Sequence, residues 1–202
     1  MSKETDIYYT IEEQQDSEIV VKGSRFIGNA FPVDTKEKAH GVLDVIKAKY
    51  YDATHNCYAY CIGQLGMEYR FADDGEPSGT AGKPILFMIN KFNFKDIIVI
   101  VTRYFGGTKL GVGGLSRAYS DSASSVLELC KSKPVYITTR IKVFCAYEDV
   151  SALKKLTNEY AVRCEEFYRD SVEFVMDVQV SRIEEFKSIL TNVTRGRAGF
   201  LG

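Results

Sequence analysis

Five uninterrupted aliphatic residues, Ile97 to Val101, form the clearest hydrophobic run in the chain. A run of that length and β-branching predicts a strand covered on both faces. From Leu115 the apolar and small positions change period: Leu115, Ala118, Tyr119, Ser122, Ala123, Val126, Leu127 and Cys130 fall at helical spacing. Between strand and helix lie Gly106, Gly107, Gly111, Gly113 and Gly114. Upstream, Ile19–Val21 and Arg25–Phe31 flank Lys22-Gly23-Ser24, which predicts a hairpin with Gly28 placed for a bulge. Asp34 and Glu37 have capping-box spacing before a helix that buries Ala39, Val42, Leu43, Ile46 and Tyr50. His55–Ile62 and Met67–Ala72 read as strands, residues 73–84 as a loop rich in breakers, and Pro84–Ile89 as the start of a helix.

The pattern continues beyond Lys131-Ser132-Lys133-Pro134, which reads as a seam between domains 1–134 and 135–202. Val135–Tyr147 is extended and Glu148–Tyr160 helical, with Val150, Leu153, Leu156 and Tyr160 inward. Val162–Arg169 and Ser171–Val180 predict a hairpin whose second strand points Val172, Phe174, Met176, Val178 and Val180 one way. Ser181 and Glu184 suggest a capping box for a last helix burying Ile183, Phe186, Leu190 and Val193. Strand-helix-strand-strand-helix is the order of a ferredoxin-like domain.

Composition sharpens this picture in three places. Residues 1–18 carry six acids and one Lys with no apolar segment, unlike a signal peptide, and no run approaches a bilayer span, so a cytoplasmic protein without membrane contact is expected. The five cysteines, Cys57, Cys61, Cys130, Cys145 and Cys164, are odd in number and lack a disulfide framework. Cys57 and Cys61 share a face of one strand but stand roughly 13 Å apart along it. With two His in the chain no zinc site suggests itself, and buried free thiols are expected. Charge is uneven. The whole chain is −1, yet residues 83–117 hold six basic residues against the single acid Asp96, a local +5.

Strand, glycine loop and helix together offer backbone N–H groups and a positive helix end to an anion. Arg103, Lys109, Arg117 and Lys83 would meet phosphates; Tyr104 and Phe105 would stack on bases or cover the sheet edge; Gly106, Gly107 and Gly111 would let a backbone approach closely. The glycines equally suit plain helix–sheet packing, and their spacing is neither a Rossmann nor a Walker A motif. Asp73, Asp74 and Glu76 either fix the neighbouring loop by pairing with Arg70, Lys83 or Arg103, or hold a hard cation. His55 has Ser78, Thr80, Thr108 and Cys57 as conceivable nucleophiles elsewhere in the chain, but no hydrolase motif. These residues favour binding over catalysis, with no cofactor and no resident metal. A phosphotransferase or hydrolase using Gly111–Gly114 for phosphate and Asp73, Asp74 or Glu76 for magnesium is the alternative.

Three segments in order, Lys22-Gly23-Ser24-Arg25-Phe26, the stretch Asp73 to Pro84, and Arg103 to Gly111, resemble the YigZ/IMPACT family over about residues 19–134. The remainder is similar to the C-terminal domain of bacterial YigZ-type members. The resemblance implies an α+β protein: an N-terminal ribosomal-protein-like α/β two-layer domain followed by a ferredoxin-like C-terminal domain. It also implies translation regulation through RNA or the ribosome. The extra N-terminal domain by which eukaryotic IMPACT proteins engage their partner is not expected here. An acidic protein docking on the basic loop is a further possible partner.

Overall fold

In the computed structural model, residues 6–201 are described and divide into two compact units, one spanning Tyr9–Val135 and the other residues 6–8 with 136–201. The chain crosses from one unit to the other twice, within strands β1 (Ile7–Ile11) and β7 (Ser132–Tyr136), which pair as a two-stranded sheet. The segment 131–134 is therefore largely strand, where the Lys-Pro composition suggests a linker. Its polar residues are exposed because it lies at a surface.

The larger unit is built on a wholly antiparallel five-stranded sheet in the order β2-β3-β6-β4-β5, from β2 (Gln15–Val21), β3 (Ser24–Pro32), β4 (His55–Ile62), β5 (Glu68–Ala72) and β6 (Ile97–Tyr104). The Ile97–Val101 run is its central strand and is fully buried. One face carries α1 (Lys36–Lys49), whose Ala39, Leu43 and Ile46 pack on Tyr58, Tyr60, Ile98 and Ile100. The other carries α2 (Gly82–Lys91) and α3 (Gly111–Leu129), packed on Cys57, Ala59, Val99 and Val101. The unit has three layers, not two, because β4 and β6 are apolar on both faces and each face needs its own cover.

Three local expectations need correction. The N-cap of α1 is Thr35, whose hydroxyl accepts from Lys38 N at 3.2 Å, while Asp34 pairs with Lys38 instead. β3 runs through Gly28 with an unbroken register on both sides. Its missing side chain admits α3: a Cβ there would stand 3.0 Å from the carbonyl oxygen of Ser122. The last helix, α5 (Ile183–Val193), follows a 3-10 turn at Val180–Arg182 and has no side-chain cap, so Ser181 and Glu184 form no capping box.

The second unit holds β8 (Thr138–Cys145), α4 (Val150–Tyr160), β9 (Ala161–Tyr168), β10 (Val172–Gln179), α5 and β11 (Gly199–Leu201). Its antiparallel sheet has the order β11-β8-β10-β9. On β10 the alternation is strict: Val172, Phe174, Met176 and Val178 are buried against Leu153, Leu156, Phe186 and Leu190. Val180 lies beyond the strand and is exposed, as is Val193. The extended segment after Val135 is broken at Ile137, whose N–H turns to the carbonyl of Asp6. All five cysteines are free, with Cys57, Cys61 and Cys145 buried. Among the described residues no helix is long and apolar enough to cross a membrane.

Candidate functional site at one end of the five-stranded sheet

Strand register brings the three unusual segments together. His55 lies opposite Arg103, Arg25 opposite Tyr104, and Tyr58 opposite Ala72. The β2–β3 turn, the start of β4, the loop after β5 and the loop after β6 therefore occupy the same end of the sheet. Both α2 and α3 begin there as well, so two positive helix ends share that edge.

The loop from Asp73 is held by its own acids. Asp73 accepts backbone N–H bonds from Gly79 at 2.8 Å, Ala81 at 3.0 Å and Gly82 at 2.9 Å, which caps α2 from upstream. Asp74 accepts from Asn56 N at 2.7 Å and pairs with Lys47 at 3.2 Å, while its carbonyl accepts from His55 Nδ1. A carbonyl can only accept, so His55 carries a proton on Nδ1 and turns Nε2 inward. Glu76 is buried: Oε1 accepts from Arg103 Nη1 at 2.6 Å and from the Tyr119 hydroxyl at 2.9 Å, with His55 Nε2 at 3.8 Å. Protein donors hold both oxygens of Asp73 and of Asp74 and Oε1 of Glu76, which leaves little of this loop to a cation. The loop-fixing reading holds for Glu76 with Arg103.

Arg103 is the main correction among the candidate binding residues. Only 5% exposed, it is flanked by the rings of Phe26 and Phe105 at 5.4 and 5.5 Å, and its Nη2 reaches Ser24 Oγ at 3.4 Å. A guanidinium committed to Glu76 in the core is not offered to a phosphate. The position faces inward because β6 is covered on both sides and the buried Glu76 carboxylate demands a partner. Tyr104 donates its hydroxyl to Asp52 at 2.7 Å and has the Arg25 guanidinium 5.4 Å from its ring centre, so one stacking face is taken. Phe105 remains 47% exposed. Gly106 is obligatory: a Cβ there would lie 1.9 Å from the carbonyl carbon of Gly23, so the β6 loop closes onto the β2–β3 turn with Ser24 Oγ accepting from Gly106 N.

Cations are left at the rim. Lys83 on the first turn of α2, Lys109 before α3 and Arg117 on α3 are exposed and make no hydrogen bond or ion pair among the described residues. Gly107 and Gly111 are exposed in the left-handed region at φ +85° and +73°, and α3 opens at Leu110 with no side-chain cap. Lys22, in the facing turn, is a fourth exposed cation that the sequence reading did not single out. Also unanticipated were Tyr119 and Ser24, which anchor the buried pair; Tyr119 sits on the helical stripe of α3, and only its hydroxyl hints at more than packing.

Beneath the rim, Cys57 donates to the carbonyl of Asp73 at 2.9 Å and lies 3.3 Å from the Tyr119 hydroxyl. Burial pushes its thiol up to about 12, with the nearby carboxylates adding to the shift. Burial and the neighbouring Cys57 and Glu76 likewise raise Tyr119, which stays a neutral donor. The thiol is therefore inert, and Ser78, Thr80 and Thr108 make no contact with His55 that would activate them; Thr80 instead donates to the Pro77 carbonyl.

Fold and site together describe an α+β protein with two sheet-rich units, one of which gathers a buried Glu–Arg pair beneath a basic rim. The Impact N-terminal domain model matches residues 22–127, which include all three motifs at this end of the sheet. The chain is 38% identical over 199 residues to the IMPACT family member YvyE of Bacillus subtilis, covering 95% of this chain and 88% of that one. It is 31% identical over 183 residues to YigZ of Escherichia coli, covering 87% and 88%. A crystal structure of a hypothetical protein superposes with TM-score 0.71 at 27% identity over 98% of each chain. This chain belongs to the IMPACT family.

Proposed function

We propose that this protein is a non-enzymatic, cytoplasmic regulator of translation that binds RNA or the ribosomal surface at the rim of the five-stranded sheet. One observation carries the reading: every acid of the Asp73–Glu76 loop is consumed by protein donors, while Lys83, Lys109 and Arg117 stand exposed and unpaired around an uncapped helix start. Such a rim contacts phosphates as point charges, with the Phe105 face turned away from Arg103 able to stack and Gly107 and Gly111 allowing close approach. The general link of IMPACT proteins to translational regulation agrees with it. We assign the second unit as ferredoxin-like, a reading supported by strand order β11-β8-β10-β9 with two helices, and the larger unit as ribosomal-protein-like, a reading supported by the motifs it shares with the family. The phosphotransferase alternative is weakened because the oxygens of Asp73 and Asp74 already accept protein hydrogen bonds.

The test is the salt dependence of binding to ribosomal RNA and to whole ribosomes. Affinity should fall linearly on logarithmic axes, and Lys83→Ala, Lys109→Ala and Arg117→Ala should each reduce the slope by about one. Binding that ignores salt, or a triple variant that binds as the wild type does, would refute the assignment. Capture of a protein partner that survives nuclease would instead favour an acidic protein ligand.

A further inference from the structure

The five-stranded sheet ends in β2 on one side and β5 on the other. α3 packs beside β2, whose exposed Asp16 and Glu18 face outward, the latter already held by Arg25 through two hydrogen bonds. α2 starts against the Ala72 end of β5 but leaves Glu68 to Phe71 uncovered. Glu68 to Phe71 are all exposed, its pairing to β4 is regular, and it contains no proline. An unprotected edge of this kind is a template for another strand.

We propose that β5 is the contact through which two copies of this chain associate, as an antiparallel pair centred on Tyr69. The strand is self-complementary. A two-fold axis at Tyr69 sets Glu68 of each copy opposite Arg70 of the other, and Met67 opposite Phe71. Glu68 and Arg70 face the α1 side of the sheet, being opposite Ile62 and Tyr60 on β4. Neither makes an ion pair or hydrogen bond among the described residues, so both charges are available to a partner. Tyr69 and Phe71 face the α2 side, opposite Cys61 and Ala59, and with Met67 they are 57%, 40% and 80% exposed. The pairing would therefore bury apolar side chains on one face while matching two charge pairs on the other. A two-fold axis requires this isologous arrangement, and a five-residue segment reading acid, aromatic, base about its centre supplies it. Edge-to-edge association also continues the antiparallel pattern of the sheet without disturbing the site at its end.

Light scattering and sedimentation of the full chain across a concentration series test this. The wild type should pass from monomer to dimer. Arg70→Glu, which sets Glu68 against a second acid at two symmetric positions, should weaken dimerisation at least about tenfold. Glu68→Arg combined with Arg70→Glu exchanges the charges within each copy and should restore the dimer. A wild type that stays monomeric throughout overturns the proposal. So does a dimer indifferent to Arg70→Glu, or a double exchange that keeps the native circular dichroism yet remains dissociated.

Discussion

Replacing Arg103 with Ala separates two roles that its sequence position leaves open. The structure holds Arg103 against Glu76 with both side chains almost wholly out of water, at 6% and 3% exposure. Removing the guanidinium leaves a buried carboxylate with the Tyr119 hydroxyl as its remaining close donor. Breaking a buried pair from one side costs about 3–5 kcal/mol, since the abandoned charge keeps its desolvation penalty. The ring contacts to Phe26 and Phe105 and the reach to Ser24 are lost as well, which loosens the loop after β6. Urea titration of Arg103→Ala should show this loss, and the thermal midpoint of the larger unit should fall by about 10 °C or more. Adding Glu76→Gln removes the stranded charge and should recover at least about half of the cost, a coupling that a double-mutant cycle reads directly. An Arg103→Ala variant within about 0.5 kcal/mol of wild type, or one whose cost Glu76→Gln does not reduce, would refute the reasoning. If its stability were unchanged while RNA binding vanished, Arg103 would be a contact residue after all.

Asp73→Ala should destabilise the larger unit by about 1–3 kcal/mol by orphaning the N–H groups of Gly79, Ala81 and Gly82, read by the same titration, whereas the exposed Ser78→Ala should be silent. Cys57, with its thiol pushed to about 12, should resist iodoacetamide in the native protein near neutral pH and react on unfolding; alkylation of native Cys57, followed by mass spectrometry, would contradict the burial assigned to it. In the second unit, the hydrogen-bonding Arg197 guanidinium holds the Asp149 carboxyl below its ordinary 3.8. A depressed carboxylate contributes stability above its unfolded value and loses it as pH falls through the folded one. Thermal melts should thus show Asp149→Asn less stable than wild type at neutral pH, with the gap closing below about pH 4.

Much of the architecture was legible because burial writes itself into period. The Ile97–Val101 run, the α3 stripe and the alternation along β10 each announced their element. Cap positions were less legible, since Asp34, Thr35, Ser181 and Glu184 all have residue types that cap, and only backbone geometry selects Thr35 among them. The site was visible as a place and misread in its parts. Counting charge between residues 83 and 117 located the basic rim but treated Arg103 as equivalent to Lys109. The difference lies in registry: Arg103 opposes His55 across the sheet, and Glu76 arrives from a loop 27 residues upstream. No local pattern encodes that meeting. Lys22 reads from the sequence only as a turn and motif residue for the same reason, since only the Gly23–Gly106 approach brings its turn to the rim.

The double crossing within β1 and β7 means that covalent order and structural membership diverge. Asp6 lies near the start of the chain, yet its carbonyl accepts from Ile137 N at 2.8 Å and its carboxylate from Ser181 N at 2.5 Å. A fragment cut at Pro134 would expose those two amides to water, however complete its own strands and helices. Trimming the first eight residues would reach the same carboxy-terminal fold from the opposite direction. Grafting or permuting either half must therefore carry this short leading ribbon along, as one would keep a hem with the cloth it binds.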